Sequence, residues 1–161
     1  MKSVPVINIH RCTLSAVTQS DIHILRQILD DTKTQRFLPE LCEEFQTTEC
    51  LQQFVASFDK YLLQDDGVLW GIRRDSVFIG FIAIMDVKTN PTLFYAMHPH
   101  YRNQGYTKEA VADVVKDFKK EHPNRALHTE VYKANHASLA ILQSCGFVVS
   151  GKENEKIMLT L

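Results

Sequence analysis

The sequence lacks three common signatures of enzymes that bind nucleotides or hydrolyse esters. Only six of its 161 residues are glycine. None forms the Gly-x-Gly-x-x-Gly pattern of dinucleotide sites or the glycine-rich loop ending in Gly-Lys-Ser/Thr that holds nucleoside triphosphates. The Gly-x-Ser-x-Gly motif, the commonest serine-hydrolase signature, is also missing. The sequence therefore gives no support to these three kinds of site.

The chain also has little excess charge and no long apolar run. Its formal net charge is −1, and no dense block of lysine and arginine occurs. Binding to nucleic acid or to an anionic membrane would therefore lack its electrostatic basis, and we expect neither partner. No apolar stretch reaches the length of a membrane span, and the first residues lack a signal-peptide core. We expect a cytoplasmic protein.

Cysteine and histidine patterns do not predict a metal site. The four cysteines are widely spaced without a Cys-x-x-Cys pair, so we expect free thiols. His98 and His100 could place two rings on one face of a strand. Pro99 lies between them, and no third ligand is near in sequence. We expect no metal ion.

The alternation of apolar patterns predicts an α/β fold with one domain over residues 1–161. A chain with 45% hydrophobic residues is long enough for one full core. The pattern predicts a mixed central sheet flanked by about four helices, and a loop over residues 33–46. Strands are expected at residues 11–14, 68–73, 77–85, 93–97, 127–132, 147–149 and 157–161, and helices near residues 22–29, 48–62, 107–121 and 136–145.

The segment from Met97 to Ala110 combines a strand end, a short loop and a helix start. Such a loop presents several free N–H groups at the positive end of the helix dipole, which favours a phosphate. Gly105 has no Cβ, so a ligand can approach the main chain closely, and Arg102 adds a positive charge. The alternative is an ordinary turn in which Thr107 caps the helix.

This segment resembles the acyl-CoA loop of the Gcn5-related N-acetyltransferases (GNAT). Residues 102–107, Arg-Asn-Gln-Gly-Tyr-Thr, are similar to the family pattern (Gln/Arg)-x-x-Gly-x-(Gly/Ala). The wider run from His98 to Ala110 is similar to the branch containing the ribosomal-protein N-terminal acetyltransferases. Further along, Asn135-His136-Ala137-Ser138 and then Gly146-Phe147 resemble the family's Asn-x-x-Ser…Gly-Phe ending. The resemblance implies a GNAT-like fold and acetyl-CoA as co-substrate.

The resemblance also implies the residues that hold the cofactor. Main-chain groups of Tyr95, Ala96 and Met97 would bind the pantetheine amides and the thioester carbonyl. Asn135 would hold the pantetheine arm or the loop near it; the alternative, compatible with this, is that it caps a helix. The pyrophosphate would be bound by the charge of Arg102 and by the N–H groups of Asn103, Gln104, Gly105, Tyr106, Thr107 and Lys108.

Three departures from the family pattern bear on catalysis. Thr107 replaces glycine or alanine, and we expect its hydroxyl both to fit beside the phosphate and to cap the helix. Thr92 and Leu142 stand where many relatives carry a glutamate base and a tyrosine acid. We expect Ser138 to assist thiolate departure, because the resembling branch has a serine there and a thiol pKa of about 8.5 makes a fair leaving group. Candidate bases remain open: Asp86, Glu130 and His98.

The acceptor would enter over residues 37–44, with Phe37, Leu38 and Glu40 as candidate contacts. We expect transfer of an acetyl group to a primary amine, a peptide N-terminus or a small amine, by direct attack in a ternary complex of a monomer or homodimer. Without a strong base, an α-amine of low pKa is the better match. The alternative is a catalytically degenerate acyl-CoA-binding module, which the missing glutamate and tyrosine would favour.

Overall fold

The fold is built on one mixed β-sheet. The computed structural model describes residues 2–161, and within them eight strands are hydrogen-bonded in the order β1-β2-β3-β4-β5-β6-β8-β7. All neighbouring pairs are antiparallel except β5 and β6, which are parallel. The strands are Ile7–Asn8 (β1), Thr13–Ala16 (β2), Gly67–Arg74 (β3), Val77–Met85 (β4), Thr92–Met97 (β5), His128–Tyr132 (β6), Val148–Glu153 (β7) and Lys156–Thr160 (β8).

Helices cover both faces of the sheet. In the described part of the chain they are Ile22–Asp30 (α1), Thr32–Phe37 (α2), Pro39–Glu44 (α3), Thr48–Leu63 (α4), Tyr106–Glu121 (α5) and His136–Ser144 (α6), with 3₁₀ turns at Gln19–Asp21 and Pro99–Tyr101. α5 packs Val111, Val114 and Phe118 into the core on one face of the sheet. α1 and α4 pack Leu25 and Phe58 into a second core on the other face. The predicted α/β fold with a mixed sheet is confirmed.

Two local predictions are wrong. The loop expected at residues 33–46 contains α2 and α3, which raises the helix count above the expected four. Asp31 begins α2 by accepting hydrogen bonds from the N–H groups of Lys33 and Thr34, and Pro39 occupies the first turn of α3. Each helix has six residues, which is too short for apolar periodicity to show. The first strand lies at residues 7–8, and the one expected at 11–14 lies at 13–16.

The geometry of β5 and β6 creates an opening inside the sheet. Within the described strands these two pair at a single position, Thr92 with His128. On the other side β5 pairs with β4 along its whole length, from Thr92 to Met97. Beyond Thr92 the edge of β5 that faces β6 therefore has no strand partner. We call this opening the strand gap.

No helix in the described chain is long and apolar enough to cross a membrane.

Candidate active site

The loop after β5 presents a row of unpaired N–H groups at the start of α5. Gly105 is the residue before the helix and has φ of +86°, a left-handed conformation in which glycine is favoured. Within residues 2–161, the main-chain N–H groups from Asn103 to Lys108 have no hydrogen-bond acceptor. Six successive donors at a helix N-terminus form a site suited to an anion. Thr107 does not cap the helix as expected, because Gly105 holds that position and Thr107 lies inside the first turn.

Arg11 holds this loop from outside. Its Nη2 donates to the main-chain carbonyl of Gln104 at 2.6 Å, and its Nε donates to the Glu109 carboxylate at 2.9 Å. The guanidinium also stacks over the Tyr106 ring, with 4.3 Å from Cζ to the ring centroid. The side chain of Tyr106 is buried, so this residue can serve an anion through its N–H group alone.

Arg102 also lies at the loop, but its charge already has a partner. Its guanidinium contacts the Asp31 carboxylate at 2.9 Å and donates to Thr34 Oγ1 at 2.8 Å. Burial would raise the pKa of Asp31, but hydrogen bonds from Thr34 and Arg102 outweigh it and lower that pKa. Arg102 therefore joins the loop to the start of α2 instead of offering the unpaired cation that the sequence suggested.

The strand gap is a narrow cavity of about 150 Å³ that runs from this loop along β5. His98 N–H donates to the Ile79 carbonyl, which fixes the hydrogen-bonding phase of the β4–β5 ladder. By the alternation of an antiparallel ladder, the main-chain groups of Tyr95 and Met97 point into the gap. Those of Ala96 point to Phe81 on β4, so Ala96 lines the gap with its side chain and cannot offer main-chain groups as expected.

Two hydroxyl groups meet at the wall of the strand gap. Ser138, in the first turn of α6, has its Oγ 2.5 Å from the Tyr95 hydroxyl. Asn135 begins α6, and its Oδ1 accepts from the Ser138 N–H at 3.3 Å. Burial raises the pKa of Tyr95 to about 12. Leu142 is fully buried in the core, so it takes no part in the gap.

A second cavity, of about 500 Å³, opens beside the gap. We call it the β8 groove, and its walls come from the α2–α3 junction and from β5, β6 and β8. Phe37 and Leu38 line both cavities, and Glu40 lines the groove. The Glu40 carboxylate accepts from Lys156 Nζ at 2.8 Å and from the Tyr132 hydroxyl at 3.1 Å. The hydrogen bond from Lys156 lowers the pKa of Glu40, so the negative charge of this carboxylate is already compensated within the protein.

One of the three candidate bases lies where the two cavities meet. Glu130 on β6 lines both, whereas Asp86 and His98 line neither. His98 instead contacts Gln27 through Nε2 at 3.2 Å, and burial lowers its pKa. Among residues 2–161, no three His, Cys, Asp or Glu side chains come together in a group that could hold a metal ion.

The structure thus brings together most residues expected from the sequence. The strand gap is lined by Tyr95, Ala96, Met97, Arg102, Asn103, Thr107, Asn135 and Ser138, together with Phe37 and Leu38. Gln104 and Gly105 lie beside it in the loop, and Lys108 lies in the first turn of α5. Sequence reasoning missed Arg11 and the Tyr95 hydroxyl, because neither carries a local motif and each acts on a residue distant in the chain.

The chain is similar to known acetyltransferases in sequence pattern and in fold. The family model "Acetyltransferase (GNAT) domain" matches residues 11–148. Curated proteins give no significant sequence match. Among solved structures, RimL, a ribosomal L7/L12 alpha-N-protein acetyltransferase in complex with coenzyme A, superposes with a TM-score of 0.83 at 14% identity, over 98% of this chain and 97% of that one.

Two further structures share the fold. A GNAT-family acetyltransferase from Bacillus anthracis has a TM-score of 0.80 at 16% identity, over 98% of each chain. A chimera of spermidine N-acetyltransferase SpeG from Vibrio cholerae and hSSAT has a TM-score of 0.73 at 12% identity, over 94% of each chain. At these identities the matches establish the fold. With the family model covering most of its length, the chain belongs to the GNAT family and is an acyl-CoA-dependent acetyltransferase.

Proposed function

We propose that the protein transfers the acetyl group of acetyl-CoA to a primary amine by direct attack in a ternary complex. One observation carries this proposal: the loop with six unpaired N–H groups borders the strand gap through Asn103 and Thr107, and the gap shares wall residues, Glu130 among them, with the β8 groove. Two adjoining cavities of this kind let two substrates meet from different sides. Positioning of this kind removes much of the entropic barrier to the reaction.

The residues of the gap fit the parts of acetyl-CoA in order. The N–H groups from Asn103 to Lys108 suit a pyrophosphate, since they are unpaired and lie at the N-terminus of α5. The exposed main-chain edge of β5 suits the pantetheine amides. A main-chain N–H of Tyr95 or Met97 directed into the gap would stabilise the thioester oxyanion. The hydroxyl of Ser138 would face the sulfur.

The acceptor amine would arrive through the β8 groove and meet the thioester beside Glu130. RimL and SpeG, which share the fold, are named for a protein α-amine and for spermidine. Deprotonating a lysine-like amine at pH 7 costs about 4.6 kcal/mol, whereas an α-amine costs about 1.1 kcal/mol. With one carboxylate at the junction of the two cavities, a low-pKa amine remains the better match. Glu130 is placed to orient that amine or to accept its proton through water.

The extent of the catalytic unit and its setting stay predictions from the sequence. We propose that residues 1–161 act as one domain, in the cytoplasm, as a monomer or homodimer.

Ligand-specific stabilisation tests the cofactor part of this proposal. Acetyl-CoA and CoA should each raise the melting temperature, because a ligand at a hundredfold excess over its Kd adds about 2.7 kcal/mol to the free energy of unfolding. ATP and NAD should not, since neither has a pantetheine arm to occupy the gap. If millimolar acetyl-CoA and CoA both leave the melting temperature unchanged, the gap is not a CoA site.

A further inference from the structure

We propose that the hydroxyl of Tyr95 is a positioning group that aims the Ser138 proton at the sulfur of the departing CoA thiolate. The inference rests on the proposed function. It concerns the side chain of Tyr95, a residue to which the family resemblance gives a role only through its main-chain groups. It is carried by the contact between the two hydroxyl oxygens, 2.5 Å, at the wall of the strand gap.

The contact between the hydroxyls of Tyr95 and Ser138 places one of their two protons between the two oxygens. Two oxygens this close share one hydrogen bond, so one hydroxyl donates and the other accepts. The hydroxyl of Ser138 has no other partner in the described chain, and its N–H is held by Asn135. If Tyr95 donates, the Ser138 hydroxyl keeps its proton and does not use it in a hydrogen bond to the protein. That proton is then available to a ligand atom in the gap. The two hydrogen bonds then point the same way and strengthen one another.

Burial keeps the Tyr95 hydroxyl protonated and therefore able to donate. The pKa of Tyr95 is raised to about 12 by burial, so its hydroxyl keeps its proton throughout the working range. The ring packs against the core between β5 and α6, which fixes the hydroxyl in place. Cys145, on the same side, is a neutral thiol because burial raises its pKa. The charged groups nearby are Lys108, close to Cys145, and three that line the gap: Lys33, Arg102 and Glu130.

The reaction balances without consuming either hydroxyl proton. The amine nitrogen forms its bond to the thioester carbon, the carbon–sulfur bond breaks, and the electron pair stays on sulfur. The proton lost by the attacking nitrogen passes to solvent. Ser138 donates a hydrogen bond to the thiolate, which later takes a proton from solvent. A thiolate with a pKa near 8.5 is too weak a base to remove the proton of Tyr95.

The kinetics of four variants, each compared with the wild type, test whether Tyr95 acts through Ser138. Ser138→Ala should lower kcat by about tenfold to a hundredfold, at or below the low end of general-acid assistance, because Ser138 donates a hydrogen bond to the thiolate and keeps its proton. Tyr95→Phe keeps the ring and should lower kcat by about threefold to tenfold, the worth of one net hydrogen bond, with KM for acetyl-CoA unchanged. The double variant should equal Ser138→Ala alone, because Tyr95 acts only through Ser138. Tyr61→Phe, a tyrosine on α4 outside both cavities, is the matched control.

Two outcomes would overturn the proposal. A larger loss in Tyr95→Phe than in Ser138→Ala would make tyrosine the direct donor. Losses that multiply in the double variant would show that the two hydroxyls act independently.

A binding measurement judges the same proposal without turnover, so that it is separate from the proposed function. The pKa of the bound CoA thiol is read from the pH dependence of affinity for CoA relative to desulfo-CoA, between about pH 7 and about pH 10. It should be higher in Tyr95→Phe and in Ser138→Ala than in the wild type and Tyr61→Phe, because the thiolate loses an oriented donor. Equal values in all four proteins would contradict the proposal even if no acceptor amine were found.

Discussion

A proline at position 107 would remove one donor from the row of N–H groups and little else. Thr107 lies in the first turn of α5, where proline is tolerated because the N–H has no helical acceptor. A hydrogen bond to a charged group contributes about 1.5 to 3 kcal/mol. Thr107→Pro should therefore weaken acetyl-CoA binding by about tenfold to a hundredfold. The matched control Thr107→Val keeps the N–H and removes the hydroxyl, so it should bind acetyl-CoA within about threefold of the wild type.

The assay compares two acyl donors. Calorimetry gives the Kd for acetyl-CoA, and kcat/KM is measured with acetyl-pantetheine, which has no pyrophosphate. Thr107→Pro should lose affinity for acetyl-CoA and keep its kcat/KM with acetyl-pantetheine. Equal losses with both donors would mean that the helix start was distorted. Unchanged affinity for acetyl-CoA would refute the assignment of these N–H groups to the pyrophosphate.

Two further predictions concern the scaffold. Asp21 binds Arg73 through both oxygens at 2.9 and 2.7 Å; burial would raise its pKa, but hydrogen bonds led by that from Arg73 lower it. This stabilisation is complete above the unfolded pKa of about 3.9 and is lost at lower pH. Asp21→Asn should therefore lower the free energy of unfolding by about 3 kcal/mol near pH 7 and make it less dependent on pH in the acid range. The control is Asp30→Asn, which removes the surface ion pair with Arg26 and should change the free energy of unfolding, measured in urea, by under about 0.5 kcal/mol. Equal effects of Asp21→Asn and Asp30→Asn would contradict this prediction. Gly105→Ala should lower the free energy of unfolding by about 1 to 2 kcal/mol, because φ is positive there and the added Cβ would lie 2.8 Å from the Arg11 Nη2. An unchanged melting temperature would refute this prediction.

The sequence predicted those features whose causes are local. The apolar run of β4 and the spacing of Val111, Val114 and Phe118 on α5 are read within a few neighbours, so these elements lie where expected. The role of Gly105 in the loop was also predictable, because it depends on the backbone conformation of that one residue. Helices α2 and α3 were not predicted, because six residues give too little periodicity. The residues that begin them, the cap Asp31 and the first-turn Pro39, look like ordinary loop residues.

The side-chain partners in the site could not be predicted, because each joins residues distant in the chain. Tyr95 and Ser138 are 43 positions apart, and Arg11 and Gln104 are 93 apart. Glu40 and Lys156 are separated by 116 positions. Single-sequence patterns report which residues share a face of one element. They do not report which elements meet, so the compensation of Glu40 and the orientation of Ser138 required coordinates.

Acetyl transfer itself is the most direct test of this account. The protein is incubated with acetyl-CoA and with single acceptors, including peptides with free N-termini, N-terminally blocked peptides containing lysine, spermidine and aminoglycosides. Released thiol is measured, and the masses of the products are determined by mass spectrometry. The account predicts stoichiometric thiol release and one added acetyl group on at least one primary amine, fastest for a low-pKa amine and slowed in Ser138→Ala. Binding of acetyl-CoA with no acetylated product from any amine would contradict it and would favour a CoA-binding module without turnover.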